Sequence, residues 1–207
     1  MDDAGLESPS PATEPIRART LNEWRYRLMV TPCPRCGKGP WETGPVPGSR
    51  PPGQEQVVRA RCGHCGGETE FRFTCEFASP VDGDPEVINP VDEPSRIIDL
   101  GQWLSLFYLM IESAASERSK PGTRRQGYRA SLCLAEALKF YGDGELPPAP
   151  AFFAEHGAAI FREHPENFAR QRLRDMQAKL PSLNVMQRRV ERDEQTAGRR
   201  WWQFWRR

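Results

Sequence analysis

Hydrophobic and polar residues alternate over several stretches in the first third of the chain, with the period of two that is typical of β-strands. The alternation predicts strands at residues 24–30, 56–61 and 69–77, and a short strand that ends at Trp41. One face of the first of these strands carries Trp24, Tyr26, Leu28 and Val30. One face of the last carries Phe71, Phe73, Cys75 and Phe77. Together they predict a small antiparallel sheet.

From residue 95 onward the hydrophobic period becomes helical. Asp99 and Gln102 predict a capping box at the start of the first helix, and Ile98 against Trp103 predicts a hydrophobic staple. Apolar residues then recur at helical spacing at Trp103, Phe107, Met110 and Ala114. Further helices are predicted from Pro121 to Gly142, from Ala151 to about Glu163, and from Pro165 to a point before Pro181.

Two segments show no periodicity. Residues 1–19 are rich in Pro, Ser, Ala and acidic side chains, and are expected to be disordered. Residues 78–94 are acidic and interrupted by prolines, which predicts a non-helical connector. The expected fold class is α+β, with a small antiparallel ribbon followed by a short helical bundle. The predicted divisions are 1–19, 20–77, 78–94, 95–181 and 182–207.

Composition places few restrictions on function. The 207 residues carry 29 basic and 28 acidic side chains, and the net charge of +1 gives no overall reason to expect nucleic-acid binding. Only four of the basic residues are lysines, a bias typical of GC-rich bacterial genomes. The longest apolar stretch, Leu100 to Ile111, is shorter than the ~20 residues of a membrane-spanning helix. The acidic N-terminus lacks the apolar core of a signal peptide, so we expect a cytoplasmic protein with reduced thiols.

The candidate chemistry lies in two CxxC pairs, Cys33 with Cys36 and Cys62 with Cys65, separated by 25 residues. A single pair is too short to hold a tetrahedral ion, whereas two pairs supply its four ligands. Glycines follow or interrupt both pairs, where the chain must turn sharply around sulfur. These glycines are Gly37, Gly39, Gly63 and Gly66.

The run Cys33-Pro-Arg-Cys-Gly-Lys-Gly39 resembles the first knuckle of a zinc ribbon, and Cys62-Gly-His-Cys-Gly-Gly67 resembles the second. The resemblance to rubredoxin-like zinc ribbons covers about residues 31–77. It implies a Zn²⁺ ion held by Cys33, Cys36, Cys62 and Cys65. Because zinc ribbons serve many unrelated purposes, the resemblance implies a site without implying a function.

Other uses of the cysteines are less favoured. A redox CxxC is expected at the start of a helix, whereas Pro and Gly surround both pairs here. Disulfides need an oxidising compartment, iron remains an alternative ion, and a catalytic zinc needs an open position that four thiolates do not leave. Cys75 and Cys133 are expected in the core, and His64, His156 and His164 at the surface.

The chain ends in a basic, aromatic tail. In a helix, one arc would carry Trp201, Trp202, Phe204 and Trp205, and the opposite arc would carry Arg199, Arg200, Arg206 and Arg207 with Gln203. This segregation predicts contact with an anionic membrane surface. Docking onto a protein partner or onto the body of the chain is the alternative, and stacking on single-stranded nucleic acid is a third.

No catalytic triad, phosphate-binding loop or dinucleotide-binding motif is recognisable, so the sequence predicts a non-enzymatic adaptor or scaffold with an unknown protein partner. The alternative is a nucleic-acid-binding zinc ribbon. Against it, residues 31–77 carry six basic and five acidic side chains. A local basic patch is still conceivable on the strands, formed by Arg59, Arg61 and Arg72.

Overall fold

The computed structural model of the protein describes residues 14–44, 51–78 and 86–204, of which residues 195–204 are described by their backbone alone. Its strands are β1 (Ile16–Ala18), β2 (Trp41–Thr43), β3 (Gln56–Cys62) and β4 (Glu68–Cys75). Its α-helices are α1 (Leu21–Met29), α2 (Leu100–Ser116), α3 (Lys120–Leu138), α4 (Glu155–Glu163), α5 (Arg170–Ala178) and α6 (Leu183–Phe204). The predicted α+β class is confirmed.

The four strands form one sheet in the order β1-β4-β3-β2. The antiparallel pairing of β2, β3 and β4 is the predicted ribbon. Strand β1 was not predicted; it pairs in parallel with β4, with Ile16 opposite Phe73. The expectation of disorder at residues 1–19 is therefore wrong for Ile16–Ala18, because backbone pairing with a distant strand orders a segment that has no periodicity of its own. Residues 1–13 lie outside the described part of the chain.

The strand predicted at residues 24–30 is wrong, because this segment forms helix α1. Thr20 caps the helix by accepting a hydrogen bond from the Glu23 amide at 3.1 Å. Trp24 stacks on Phe73 of β4, with ring centroids 4.0 Å apart, while Tyr26 belongs to the core of the helical bundle. A helix that is buried on two sides has apolar residues at alternate positions, which is why it resembled a strand.

Helix α2 begins with the predicted capping box. Asp99 accepts the Gln102 amide at 2.8 Å, and the Gln102 side chain accepts the Asp99 amide at 3.0 Å. Ile98 and Trp103 are both fully buried in the core of the bundle, as the predicted staple requires. These local signals were sufficient to locate the start of the helix.

The same carboxylate determines where α4 begins. The second oxygen of Asp99 accepts the amides of Phe153 and Ala154, at 3.2 and 2.7 Å. The predicted start at Ala151 is therefore early: a short 3₁₀ turn at Ala149–Ala151 comes first, and α4 follows the two bound amides. One fully buried carboxylate thus caps α2 and anchors the segment that leads into α4.

The remaining helical predictions agree with the structure. Helix α3 has Pro121 in its first turn and is followed by a 3₁₀ turn that ends at Gly142, where φ is +50°. Pro165 opens a 3₁₀ turn at Pro165–Phe168, and α5 follows and ends before Pro181.

Buried hydrogen bonds join the sheet to the bundle through residues 86–93. Thr20, at the start of α1, donates to the Ile88 carbonyl at 2.5 Å. Asn89 donates to Glu136 of α3 at 3.1 Å, and Lys139 donates to the same carboxylate at 2.8 Å. Burial raises the pKa of Glu136, which Lys139 and Asn89 partly offset. The described part of the predicted connector is non-helical and packs against both neighbours.

Helix α6 lies along α3 in the antiparallel direction. Its buried residues Met186 and Val190 pack against Tyr128 of α3, which is also buried. Arg124 near the start of α3 pairs with Asp193 further along α6. Among the described residues, no helix is long and apolar enough to cross a membrane.

A pair of glycine substitutions tests the packing of α2 against α4. A Cβ atom on Gly101 would lie 2.9 Å from the Gly157 Cα, whereas one on Gly127 of α3 would meet nothing within 4 Å. We expect Gly101→Ala to lower the free energy of unfolding by about 1–3 kcal/mol through overpacking. Gly127→Ala should raise it by about 0.5–1 kcal/mol, because alanine loses less backbone entropy in a helix. Urea unfolding of both variants is the measurement, and a loss at Gly127 equal to that at Gly101 would contradict the packing.

Candidate metal centre

Each CxxC pair forms a turn with the same backbone hydrogen bonds. In the first turn, the Cys33 amide donates to the Lys38 carbonyl at 2.6 Å, and the Gly37 amide donates to the Cys33 carbonyl at 2.8 Å. The second turn repeats both bonds at the equivalent positions, each at 2.8 Å, through Cys62, Gly66 and Gly67. The two turns therefore present their paired sulfurs in the same way.

The predicted glycine requirement holds at the residue that follows each second cysteine. Gly37 and Gly66 have φ values of +68° and +70°, which side chains with a Cβ rarely adopt. A Cβ on Gly67 would lie 3.4 Å from the Cys65 Sγ, which is an ordinary van der Waals contact, so space does not require glycine there. The positive φ values of Gly37 and Gly66 explain why both pairs are followed by glycine.

Strand pairing brings the two turns together. Trp41 of β2 lies opposite Cys62 of β3, and the Gly63 amide donates to the Pro40 carbonyl at 2.9 Å. The Trp41 indole donates to the Thr31 carbonyl at 2.9 Å and packs edge-on against Phe71. The antiparallel pair β2–β3 thus positions one cysteine pair against the other.

The four predicted cysteines converge on one point. Their sulfur atoms all lie within 4.8 Å of one another. The Cys33 and Cys65 sulfurs are 3.7 Å apart, and those of Cys36 and Cys62 are 3.8 Å apart. An ion with metal–sulfur bonds of about 2.3 Å in a tetrahedron requires sulfur–sulfur distances of about 3.8 Å. The four cysteines are positioned to bind a metal ion.

The same distances exclude disulfides within the cluster, because bonded sulfurs lie about 2.05 Å apart. All six cysteines of the chain are free thiols. Cys33 and Cys62 are buried, whereas Cys36 and Cys65 are partly exposed. One cysteine of each CxxC pair is therefore shielded from solvent, and the other cysteine of each pair is accessible to it.

Backbone amides and neighbouring sulfurs shift the thiol pKa values in opposite directions. The amides of Cys65 and His64 lower the pKa of Cys62 to about 7, because they donate to its sulfur. At Cys36 the Lys38 amide also lowers the pKa, but desolvation and the three other sulfurs raise it to about 12 overall. Without a cation, the four thiols do not all ionise at neutral pH.

The other predicted positions divide into two groups. Cys75 and Cys133 are buried core residues, as predicted, and burial raises the pKa of both thiols. His64, His156 and His164 are exposed. Helix α6 extends to Phe204, but the side chains of the predicted tail site lie outside the described residues.

The predicted strand that ends at Trp41 is wrong, because β2 begins at this residue; Trp41 also packs against the four candidate ligands. It packs in one cluster with Cys33, Ala60 and Cys62, and with the partly exposed Cys36 and Cys65. The sequence feature that could have indicated this contact is the position of Trp41, five residues after Cys36 and just beyond the first cysteine turn.

No protein-family model, curated protein or solved structure matches this chain significantly. The assignment of the site therefore rests on its own geometry.

Metal binding should strengthen as pH rises. The raised pKa of Cys36 means that its proton must be displaced when a metal binds, so acid favours the metal-free protein. We expect competition with a chromophoric chelator to show tighter binding at pH 8 than at pH 6. Calorimetry in buffers of different ionisation enthalpy should show proton release on binding. Equal affinity at both pH values would contradict binding through these thiols.

Proposed function

We propose that this protein is a non-enzymatic adaptor built on a structural zinc ribbon, with a C-terminal tail that contacts an anionic membrane surface. The observation that carries the proposal is the cluster of four cysteine sulfurs within 4.8 Å of one another. Four thiolates saturate a tetrahedral ion and leave no position for water or substrate. A zinc ion in such a site stabilises the fold and has no catalytic position.

The architecture supports a structural role for the ion. The cysteines connect the turns before β2 and after β3, which are short elements with little core of their own. Their cluster is separate from the main core of the helical bundle. Metal binding would therefore stabilise the ribbon, while the bundle relies on its own packing.

The paired charges of the ribbon favour the adaptor over a nucleic-acid-binding protein. Arg59 pairs with Glu70 at 3.0 Å, and Arg72 pairs with Glu55 at 2.6 Å. Of the three arginines that suggested a basic patch, only Arg61 has no carboxylate partner among the described residues. One unpaired arginine offers little attraction to a phosphate backbone.

The tail is proposed to bind a membrane because its sequence separates three tryptophans and a phenylalanine from four arginines. The backbone of helix α6 is helical as far as Phe204. In the antiparallel register set by Arg124 and Asp193, residues 199–200 reach the level of the loop between α2 and α3.

Metal analysis tests the zinc assignment. The purified protein should contain one zinc per chain, lost in the Cys62→Ser, Cys65→Ser double variant and retained in Cys75→Ala. Chelation should change Trp41 fluorescence, because the indole packs in the cysteine cluster. The far-UV helical signal should largely remain, because the helices have a separate core.

Absence of zinc, or its full retention in the double variant, would contradict the site. Iron at one equivalent with a coloured, sulfur-ligated spectrum would replace zinc as the ion. Loss of the helical signal together with the metal would show that the ribbon and the bundle do not fold separately.

Vesicle co-sedimentation tests the tail. The full chain should sediment with anionic vesicles, and a Trp201→Ala, Trp202→Ala, Trp205→Ala variant should lose most of this binding. Added salt should weaken the binding without abolishing it, because salt screens arginine and not tryptophan. A matched control replaces three exposed apolar residues of the body, Tyr108, Leu109 and Phe153. Equal sedimentation of the tail variant, or loss in the control alone, would contradict membrane contact through the tail.

A further inference from the structure

Each turn of the metal centre leaves one of its two cysteines open to solvent. Cys33 and Cys62 are 2% and 0% exposed, whereas the second cysteine of each turn, Cys36 or Cys65, is partly exposed. A small oxidant that approaches the cluster from solution therefore meets Cys36 or Cys65 first. The buried cysteines can react only after one of these two has done so.

The two exposed cysteines have different surroundings. A Cβ atom on Gly66, which follows Cys65, would lie 3.4 Å from the Arg61 Nη2. The counterpart in the first turn is Gly37, which follows Cys36, and a Cβ there would meet nothing within 4 Å in the described part of the chain. A guanidinium group therefore lies over the turn next to Cys65, and the equivalent position next to Cys36 is open.

A second arginine reaches Cys65 from the first turn. The Arg35 Cδ and the Cys65 Sγ both lie 3.4 Å from the position that a Cβ on Gly67 would take, so the Arg35 side chain runs beside this sulfur. Neither Arg35 nor Arg61 forms an ion pair with a carboxylate in the part of the chain that the structure describes. Both positive charges are therefore available to a reaction at Cys65.

A carboxylate lies at the other end of the second turn. The Glu42 Oε1 is 3.1 Å from the position that a Cβ on Gly63 would take, and Gly63 follows the buried Cys62. This turn thus has positive charge beside its exposed sulfur and negative charge beside its buried one. Reactive cysteines are partly exposed and have positively charged neighbours. Cys65 meets both conditions.

The sulfur placed to react with an oxidised Cys65 belongs to the other turn. The Cys65 Sγ lies 3.7 Å from the Cys33 Sγ, and a rotation of the side chains can shorten this distance to the roughly 2.05 Å of a disulfide. These two cysteines are 32 residues apart in the sequence. A bond between them restricts the unfolded chain more than a bond within one CxxC turn does, because the closed loop is longer.

We propose that Cys65 is the site at which a peroxide oxidises this protein, and that Cys33 then forms a disulfide with it. In the first step the Cys65 sulfur attacks the peroxide, so that a sulfur–oxygen bond forms, the oxygen–oxygen bond breaks and hydroxide leaves. The guanidinium groups of Arg35 and Arg61 stabilise the negative charge that develops on the departing oxygen.

In the second step the Cys33 sulfur attacks the Cys65 sulfur. The sulfur–sulfur bond forms, the sulfur–oxygen bond breaks, and a second hydroxide leaves. Two protons from solvent convert the two hydroxides to water. Two thiolates have then lost two electrons in total, and one peroxide has gained them.

The consequence for the metal rests on the proposed zinc site. The disulfide removes two of the four ligands, and Cys36 and Cys62 alone do not saturate a tetrahedral ion, so the oxidised cluster releases a bound zinc. The disulfide then joins the two turns in place of the ion. Reduction by a thiol restores all four ligands, which makes the oxidation reversible.

Hydrogen peroxide added in stoichiometric amount to the reduced, zinc-loaded full-length protein tests the proposal. A chromophoric zinc indicator should report the release of one equivalent of zinc. Dithiothreitol followed by added zinc should restore the original zinc content. Trp41 fluorescence should change less after oxidation than after chelation of the reduced protein, because the disulfide keeps the two turns together around the indole.

Peptide mapping identifies the disulfide. Free thiols are alkylated after oxidation, and trypsin then places Cys33 in residues 28–35, Cys36 in residues 36–38, and Cys62 with Cys65 in residues 62–72. The expected product joins residues 28–35 to residues 62–72, and fragmentation should locate the bond at Cys65. The buried Cys75 and Cys133 should remain free thiols.

Charge variants test why Cys65 reacts. Arg35→Gln with Arg61→Gln should slow peroxide-dependent zinc release several-fold, because the departing hydroxide loses both neighbouring positive charges. Arg35→Lys with Arg61→Lys keeps the charges and should react at close to the parental rate. The matched control, Arg59→Gln with Arg72→Gln, removes the same charge from β3 and β4, where both arginines pair with carboxylates, and should react as the parent does.

The zinc content measured before oxidation separates this proposal from the metal assignment. A protein without zinc contradicts the metal site, yet the same mapping of the reduced protein still tests the disulfide between Cys33 and Cys65. Thermal unfolding of each variant shows whether the ribbon remains folded. Complete alkylation of all four thiols after peroxide, a disulfide confined to one turn, or equal slowing in the matched control would overturn the proposal.

Discussion

The convergence of four cysteine sulfurs within 4.8 Å of one another is the constraint on which the ribbon depends. Sulfurs of the two CxxC pairs approach each other to 3.7 and 3.8 Å, and desolvation together with the neighbouring sulfurs raises the pKa of Cys36. A bound cation would have the opposite effect on the thiol pKa values, because its positive charge would stabilise the thiolates that serve as its ligands. An ion bound by the four cysteines would stabilise this arrangement, and folding of the ribbon would then be coupled to metal binding.

Helix α1 connects the ribbon to the helical bundle. Trp24 packs on the sheet and Tyr26 packs in the bundle, so one short helix is buried on both sides. Thr20 adds a buried hydrogen bond to the Ile88 carbonyl. The cysteine cluster lies toward the other end of the same face of the sheet, and Phe71 packs both against it and against the cluster that contains Trp24 and Phe73. Loosening at the cysteines would therefore reach the helices through the sheet, through α1 and through Ile97, which packs against both hydrophobic clusters.

Local signals in the sequence predicted most of the fold and the four cysteines of the site. The Asp99 capping box, the glycines after each cysteine pair and the alternation in β3 and β4 all depend on neighbours a few residues away. The errors came from contacts that are distant in sequence. Strand β1 exists because of β4, and α1 was misread because it is buried on two sides. Likewise, the start of α4 depends on the carboxylate of Asp99, more than 50 residues earlier.

Helix α6 packs against α3 on one face and carries charged side chains on its other faces, and these two requirements favour opposite kinds of residue. Docking on α3 needs apolar residues at Met186 and Val190, and these occupy one face. The other faces can therefore carry charged side chains, and all the basic ones in this helix are arginines. The acidic remainder of the chain offsets the surplus of arginines in net charge. A helix with this composition would be poorly suited to the core of the bundle. At its edge, the same composition makes residues 170–207 basic, opposite in net charge to the rest of the chain.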